Sequence, residues 1–253
     1  MKILLGGALG RMGREVTAAA AEAQVEIVCG VDVAYTGQPS DYPIVTAFDQ
    51  ATQKADVLID FSRPSALPEL LQLVRKEKMP AVLCTTGYNE AELQMIEEAS
   101  REIPVFRSAN MSLGVNVLRH LVQEAARALG ENFDVEIVER HHRMKADSPS
   151  GTALMLYDSV KEATETLRQP VFGRYGRTAQ RQPGEVGIHA VRGGTITGEH
   201  EVCFYGDGEE LILTHRAEKR SLFARGALRA AAFLMGKPAG KYDMQDLIEE
   251  MLR

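Results

Sequence analysis

The reading of the fold turns on residues 1–13, MKILLGGALGRMG. A short apolar run, KILL, ends in paired glycines, and a helix-forming segment begins within the glycine-rich turn. Gly7, Gly10 and Gly13 stand at a GxxGxxG spacing. The three positions differ in what they must do. The first makes the tight turn, the middle region brings backbone close to a ligand, and the last lets helix and strand pack closely. A helix N-terminus at this place offers N–H groups and a positive dipole end, which suits a pyrophosphate. Taken alone, the motif is equally compatible with a glycine-rich turn that holds nothing.

Outward from this turn, VEIVCGVD ends at Asp32, 19 positions after Gly13. A dinucleotide-binding unit places an acid there to accept hydrogen bonds from the adenosine ribose. Then follow ADVLIDFS, a helix near 64–77, PAVLCTTG, a helix near 89–101 and IPVFRSAN. Strands alternating with helices predict successive βαβ crossovers and a mainly parallel sheet. ADVLID and PAVLC are nearly unbroken apolar runs, as required of strands covered on both faces. The predicted fold is α/β, with an N-terminal Rossmann-like, doubly wound parallel sheet. Ligands of such sheets sit beyond the carboxyl ends of the strands, which places Ser62, Thr85, Thr86 and Gly87 near a nicotinamide.

The second half reads differently. A helix over 112–129 leads to FDVEIVER and a helix over 151–167, and three strand-like runs, VGIHAVRGG, TITGEHEVCFYG and EELILTHRA, follow at short spacing. They predict a second α+β domain with a mixed or antiparallel sheet. RQPVFGRYGRTAQRQPGE, residues 168–185, reads as a long surface loop. RSLFARGALRAAAFLMGKP and DMQDLIEEMLR have helical spacing. The expected division is a dinucleotide-binding domain over 1–112, completed by 219–253, and a substrate-binding and oligomerisation domain over 113–218.

The 253 residues are 45% hydrophobic with a net charge of −6, enough apolar material for a sizeable core and no general electrostatic reason to bind nucleic acid or anionic membrane. A small-molecule partner is expected. The opening residues are too short for a membrane span and lack the layout of a signal peptide, so the expected location is cytoplasmic. Cys29, Cys84 and Cys203 show neither CxxC pairing nor a metal-ligand spacing. They read as buried thiols, and no metal is expected.

The most distinctive run is ERHHRMKADSPSGTALMLYDSV, residues 139–160. Gly151 and Thr152, at a helix start capped by Ser148 or Ser150, can offer donors to a carboxylate, with Lys145 as a cation beside it. His141 or His142 is a candidate acid, because an imidazole titrates close to neutral pH. Taken singly, each feature is an ordinary helix start or strand end. Together, within a dozen residues or so, they suit an anionic, reducible substrate.

ERHHRMKADSPSGTA, with GALGRMG, DFSRP, the TTG after PAVLC, and SANMSLGVN in the same order, resembles the dihydrodipicolinate reductase (4-hydroxy-tetrahydrodipicolinate reductase) family over nearly the whole chain. The HHxxK and PSGT pairing is specific, and the glycine motif is not. The resemblance implies that Gly7, Ala8, Leu9, Gly10, Arg11 and Met12 cradle the pyrophosphate and Asp32 the ribose. It implies that Cys84, Thr85 and Thr86, with Ser108, Ala109, Asn110 and Met111, surround the nicotinamide. By the same resemblance His141 is the proton donor, His142 a substrate contact, and Lys145 a second donor or carboxylate partner. Ser150, Gly151 and Thr152 would bind the substrate. The implied reaction is hydride transfer from NADH or NADPH to a cyclic dicarboxylate in diaminopimelate and lysine biosynthesis, by a homotetramer.

Three positions depart from the family pattern: Cys84 replaces a usual glycine, Met111 a common aromatic, and no arginine follows Asp32. Val33, Ala34 and Tyr35 supply no cation for a 2′-phosphate, which leaves Arg11 and an expectation that NADH serves at least as well as NADPH. Rival readings are a dehydrogenase of aspartate or its semialdehyde, the latter needing a reactive cysteine, and a non-catalytic nucleotide sensor.

Overall fold

The first strand, β1 (Lys2–Gly6), passes through the glycine turn into α1 (Arg11–Glu22), followed by β2 (Glu26–Val31), β3 (Ile44–Val45) and β4 (Val57–Asp60). α2 (Leu67–Lys76), β5 (Ala81–Leu83), α3 (Glu90–Ser100) and β6 (Pro104–Arg107) continue the alternation. The computed structural model describes residues 1–164 and 169–251. Two compact units form: residues 1–113 with the segment from Arg220 onward, and Gly114–Lys219.

In the first unit, side-chain alternation along each strand feeds two separate cores. Ile3, Leu5, Val57, Ile59, Val82 and Phe106 join Val16, Ala19 and Ala20 of α1. Leu4, Leu58, Leu83 and Val105 meet α2 through Leu67, Leu70, Leu71 and Val74, and α3 through Ile96 and Ala99. Successive strand residues point to opposite faces and both faces are covered by helices, so the middle positions of these strands are apolar and polar residues are left to their ends. α3 begins at a reciprocal cap: the Asn89 side chain accepts from the Glu92 N–H at 2.9 Å, and the Glu92 carboxylate accepts from the Asn89 N–H at 2.8 Å.

The second unit holds α4 (Leu113–Leu129), β7 (Asp134–His141), α5 (Gly151–Ala163), β8 (Gln169–Val171), β9 (Glu185–Arg192), β10 (Gly198–Tyr205) and β11 (Glu210–Ala217). Its sheet runs β11-β10-β7-β9-β8 and is mixed: β10 is antiparallel to β7 and β11, while β9 is parallel to β7 and β8. Val135 and Ile137 of β7 share a core with Leu118 and Val122 of α4, Leu156 and Val160 of α5, and Val202 and Phe204 of β10. Two-residue periodicity carries this inward row on to Glu139 and His141, which are buried as well. The row turns polar at the carboxyl end of its strand.

The stretch expected to be a loop, 168–185, is only partly one. Gln169–Val171 form β8 against β9, and Arg174 and Arg181 bring the following residues back onto the sheet by pairing with Glu136. Short range in sequence hides such pairing, because the strand partner lies beyond the turn. Residues 165–167 of the expected helix, residue 168 of the expected loop and 252–253 of the last helix lie outside the described residues.

The closing segment forms α6 (Ser221–Leu234), β12 (Gly240–Tyr242) and α7 (Met244–Met251). β12 pairs with β6, giving the order β12-β6-β5-β4-β1-β2-β3 with every pairing parallel. Ala224, Ala227, Ala230 and Ala231 of α6 enter the same core as α1. Small side chains are needed here: a Cβ on Gly226 would collide with the Met111 carbonyl. Among the described residues no helix is long and apolar enough to cross a membrane.

Candidate active site

The sequence-predicted residues fall into two sets, one on each unit. In the first, Gly7 adopts φ +73° and donates its N–H to the Val31 carbonyl at 2.8 Å. A Cβ on Gly7 would lie 2.6 Å from the Phe61 carbonyl oxygen, and one on Gly13 would overlap the Gly7 carbonyl. Glycine is therefore required at the turn for its positive φ and in α1 for close approach. Arg11 and Met12 open the helix, where first-turn N–H groups have no intrahelical acceptor.

Asp32 follows directly on β2 with both carboxylate oxygens engaged. Oδ2 accepts from the Leu9 N–H and Oδ1 from the Ala34 N–H, each at 2.9 Å. Asp32 lines a cleft of about 270 Å³ with Gly7, Gly10, Val33, Phe48 and Arg63. Arg63 escapes a reading of neighbours in sequence, since it follows β4 and reaches this cleft only through the parallel pairing of β1 with β4.

Beyond β4 and β5 the strand ends are tied together. The Thr85 hydroxyl donates to Asp60 Oδ2 at 2.7 Å, and the Cys84 N–H to the Asp60 carbonyl at 2.9 Å. Thr85 thus directs its hydroxyl to a buried carboxylate, leaving Thr86 and Gly87 as the exposed part of that segment. Burial raises the Asp60 pKa and pushes the Cys84 thiol well up. All three cysteines are free and buried, each with burial raising its pKa, so none is suited to be the nucleophile of a semialdehyde dehydrogenase. Ser108 to Met111 follow β6 as a tight turn: the Ser108 hydroxyl donates to the Asn110 carbonyl at 3.0 Å, Ala109 is exposed and Met111 is buried.

On the second unit, β7 delivers His141 and the turn after it delivers His142 and Lys145, whose N–H donates to the His142 carbonyl at 3.1 Å. Lys145 Nζ lies 2.8 Å from Asp147 Oδ1, so its ammonium already has a carboxylate partner. Of the two serines considered as caps, Ser150 serves: its Oγ accepts from the Ala153 N–H at 3.2 Å and lies 3.1 Å from His200 Nε2. That hydroxyl is buried and occupied, whereas Gly151 is exposed and Thr152 half-buried.

Three residues that the sequence motifs did not single out complete this group. Glu139, with no exposed surface, sits two residues before His141 on the same strand face. Arg192 and His200 arrive from the neighbouring strands, paired with His141 and Glu139 respectively. The i, i+2 spacing of a glutamate and a histidine on a strand was the available sequence signal for Glu139. Burial would raise the Glu139 carboxyl, but hydrogen bonds from Arg192, His141 and the Ser150 N–H bring it below its usual range. Burial lowers the His141 pKa, Glu139 opposes this, and Lys145 and Arg192 add to the lowering. His200 is driven by burial down to about 4 and is neutral at physiological pH. No cluster of metal-ligating residues occurs among the described residues.

Both halves match known sequences. Residues 1–111 match the family model for dihydrodipicolinate reductase, N-terminus, and residues 114–248 the one for its C-terminus. The 4-hydroxy-tetrahydrodipicolinate reductase of Caldanaerobacter subterraneus subsp. tengcongensis is 49% identical over 251 residues, 99% of each chain. That of Clostridium tetani is 45% identical over 249 residues, 98% of this chain and 97% of the relative. Among solved structures, dipicolinate-bound dihydrodipicolinate reductase from Paenisporosarcina sp. TG-14 superposes with a TM-score of 0.79 at 23% identity, covering 96% and 97% of the two chains. With both halves matched in order and relatives aligned end to end, the chain belongs to the dihydrodipicolinate reductase family of oxidoreductases.

Proposed function

We propose that the chain reduces 4-hydroxy-tetrahydrodipicolinate, or its dehydrated form dihydrodipicolinate, to tetrahydrodipicolinate on the route to diaminopimelate and lysine. The observation that carries this reading is the cluster on the second unit, where His141, Lys145 and the α5 N-terminus supply a proton donor, a cation and N–H donors for a dicarboxylate. One hydride and one proton are added to the ring, and water is lost when the ring starts hydroxylated.

The cofactor is a pyridine nucleotide, which supplies the hydride when bound. The glycine turn fits its pyrophosphate, because Gly7 at φ +73° and the close contact of Gly13 with the Gly7 carbonyl hold a tight turn directly before the N-terminus of α1. Gly7 through Met12 hold the phosphates and Asp32 the adenosine ribose. Cys84 through Thr86 and Ser108 through Met111 border the nicotinamide. NADH serves at least as well as NADPH, since the Asp32 carboxylate repels a 2′-phosphate; Arg63, which lines the same cleft, and Arg11, which opens α1, offset part of that repulsion.

His141 protonates the ring carbon after hydride addition, and Lys145 holds a substrate carboxylate, exchanging Asp147 for it. His142, Ser150, Gly151 and Thr152 shape the carboxylate site, Ser150 by setting the helix start. The protein works in the cytoplasm as a homotetramer assembled through the second unit's sheet, on which Val191, Tyr205, Leu211 and Ile212 are exposed.

The test supplies the condensation product of aspartate semialdehyde and pyruvate and follows loss of reduced-nicotinamide absorbance. Turnover with NADH, NADPH or both is expected; turnover with neither overturns the assignment.

A further inference from the structure

We infer that Glu139, braced by Arg192, is a positioning residue that fixes the tautomer and aim of His141 and ties it to the loop bearing Lys145. The inference rests on the reading of His141 as the proton donor. Val135 and Ile137 precede Glu139 in the same inward row, so a carboxylate stands where an apolar side chain would extend the core. An unpaired buried carboxylate is strongly unfavourable, and this one is fully paired.

Four donors meet its two oxygens. Oε2 lies 2.6 Å from His141 Nδ1 and 2.8 Å from Arg192 Nη1. Oε1 accepts from Arg192 Nη2 at 2.8 Å and from the Ser150 N–H at 3.0 Å. An ionised carboxylate is acceptor-only, so His141 Nδ1 must carry its proton, leaving Nε2 as the nitrogen for chemistry. That nitrogen would be 3.1 Å from a Cβ on Gly198, and glycine there keeps its surroundings open. A carboxylate holding a catalytic imidazole in one tautomer is a recurrent device of proton-transfer sites.

The brace extends to the lysine. Arg192 Nη2 also donates to the Asp147 carbonyl at 2.7 Å, and the Asp147 carboxylate receives Lys145 Nζ. One guanidinium therefore links Glu139 to the loop, while the Ser150 N–H links it to the start of α5. The charged and titratable groups facing His141 are Glu139 from β7, Arg192 from β9, His200 from β10 with ring centroids 5.2 Å apart, and Lys145 from the loop. Glu139 alone among these favours the imidazolium; His200 stays neutral and both cations oppose it.

Glu139→Gln keeps the shape and removes the charge. Its expected effects are a 10- to 100-fold loss of kcat (about 1.4–2.7 kcal/mol) with an unchanged KM for the dinucleotide, and an alkaline limb of kcat/KM moved down by about one pH unit or more. Nitrogen-15 NMR of the imidazoles in the free protein gives a readout independent of turnover: neutral His141 should be protonated at Nδ1 in wild type and lose that preference in the variant. If His141→Ala is inactive while Glu139→Gln keeps the wild-type kcat, limb and tautomer, the positioning role is wrong and the functional reading stands. If wild type turns over no substrate, the functional reading fails, and the tautomer measurement still decides whether Glu139 governs His141. Should Glu139→Gln not fold, Arg192→Gln tests the same linkage with opposite sign, because losing that cation raises the limb; an unmoved limb there overturns the brace.

Discussion

The Leu9 N–H donates to Asp32 Oδ2 across 2.9 Å, so the glycine turn is fastened to the end of β2 by a carboxylate that also lines the cleft. Asp32→Ala therefore removes a brace and, on the proposed reading, a ribose acceptor. Its expected effect is a rise of roughly tenfold or more in the KM for NADH, the scale of one charge-assisted hydrogen bond. NADPH should suffer less, because the repulsion of a 2′-phosphate disappears with the charge. Steady-state kinetics with both cofactors checks this; equal losses would remove Asp32 as a discriminator.

Wild type should use NADH at least as well as NADPH. Arg11→Ala and Arg63→Ala should each lower kcat/KM for NADPH more than for NADH, as Arg63 lines the cleft with Asp32 and Arg11 opens α1 at the end of the glycine turn. A strong NADPH preference surviving both substitutions would contradict this account of the pocket.

His141→Ala should lower kcat by about 10²- to 10⁴-fold, the usual contribution of a general acid, with little change in dinucleotide affinity. Lys145→Ala should be severely impaired on the substrate side, with its dinucleotide affinity retained. Fluorescence titration with reduced nicotinamide separates the two steps. A Lys145→Ala defect confined to cofactor binding would place that residue on the wrong ligand.

The pH profile follows from the sign of the His141 shift. Burial, with Lys145 and Arg192, holds its pKa below the ordinary value despite Glu139. With His141 as the proposed acid its charged form is required, so kcat/KM should fall as pH rises through a pKa below about 6.5. In the complex the substrate carboxylates favour the imidazolium, so the limb for kcat should lie at higher pH. Rate profiles that are flat from about pH 5 to 8 would exclude His141 as the acid.

Gly13→Ala should lose about 1–3 kcal/mol of stability, because its Cβ would overlap the carbonyl of Gly7 in a packed helix–turn contact. Gly87→Ala has open space and meets only the strain of φ +83°. Thermal melts of both should show the larger drop for Gly13→Ala; the reverse order would mean that crowding around the turn relaxes easily.

Sequence alone determined the alternation of strands and helices and the parallel sheet of the first unit, and its motifs carried the family resemblance; it left the second unit's sheet mixed or antiparallel, and the parallel pairing of β9 with β7 made it mixed. The alternation and the parallel sheet follow from local periodicity: a strand covered on both faces is apolar through its middle, and a glycine turn before a helix shows in a few letters. The candidate residues were legible for the same reason, since His141, Lys145 and Gly151 lie within one run. Tertiary structure decided what those residues do with their polar atoms. Thr85 commits its hydroxyl to Asp60, Ser150 caps a helix, and Lys145 pairs with Asp147. β3, β8 and β12 are two or three residues long, too short to show a period, and they exist because a neighbouring strand offers them hydrogen bonds. Arg192 reaches Glu139 only because β9 lies parallel to β7, and Arg63 reaches the Asp32 cleft only because β4 lies beside β1. Pairing between strands distant in sequence sets such meetings, and no local spacing encodes them.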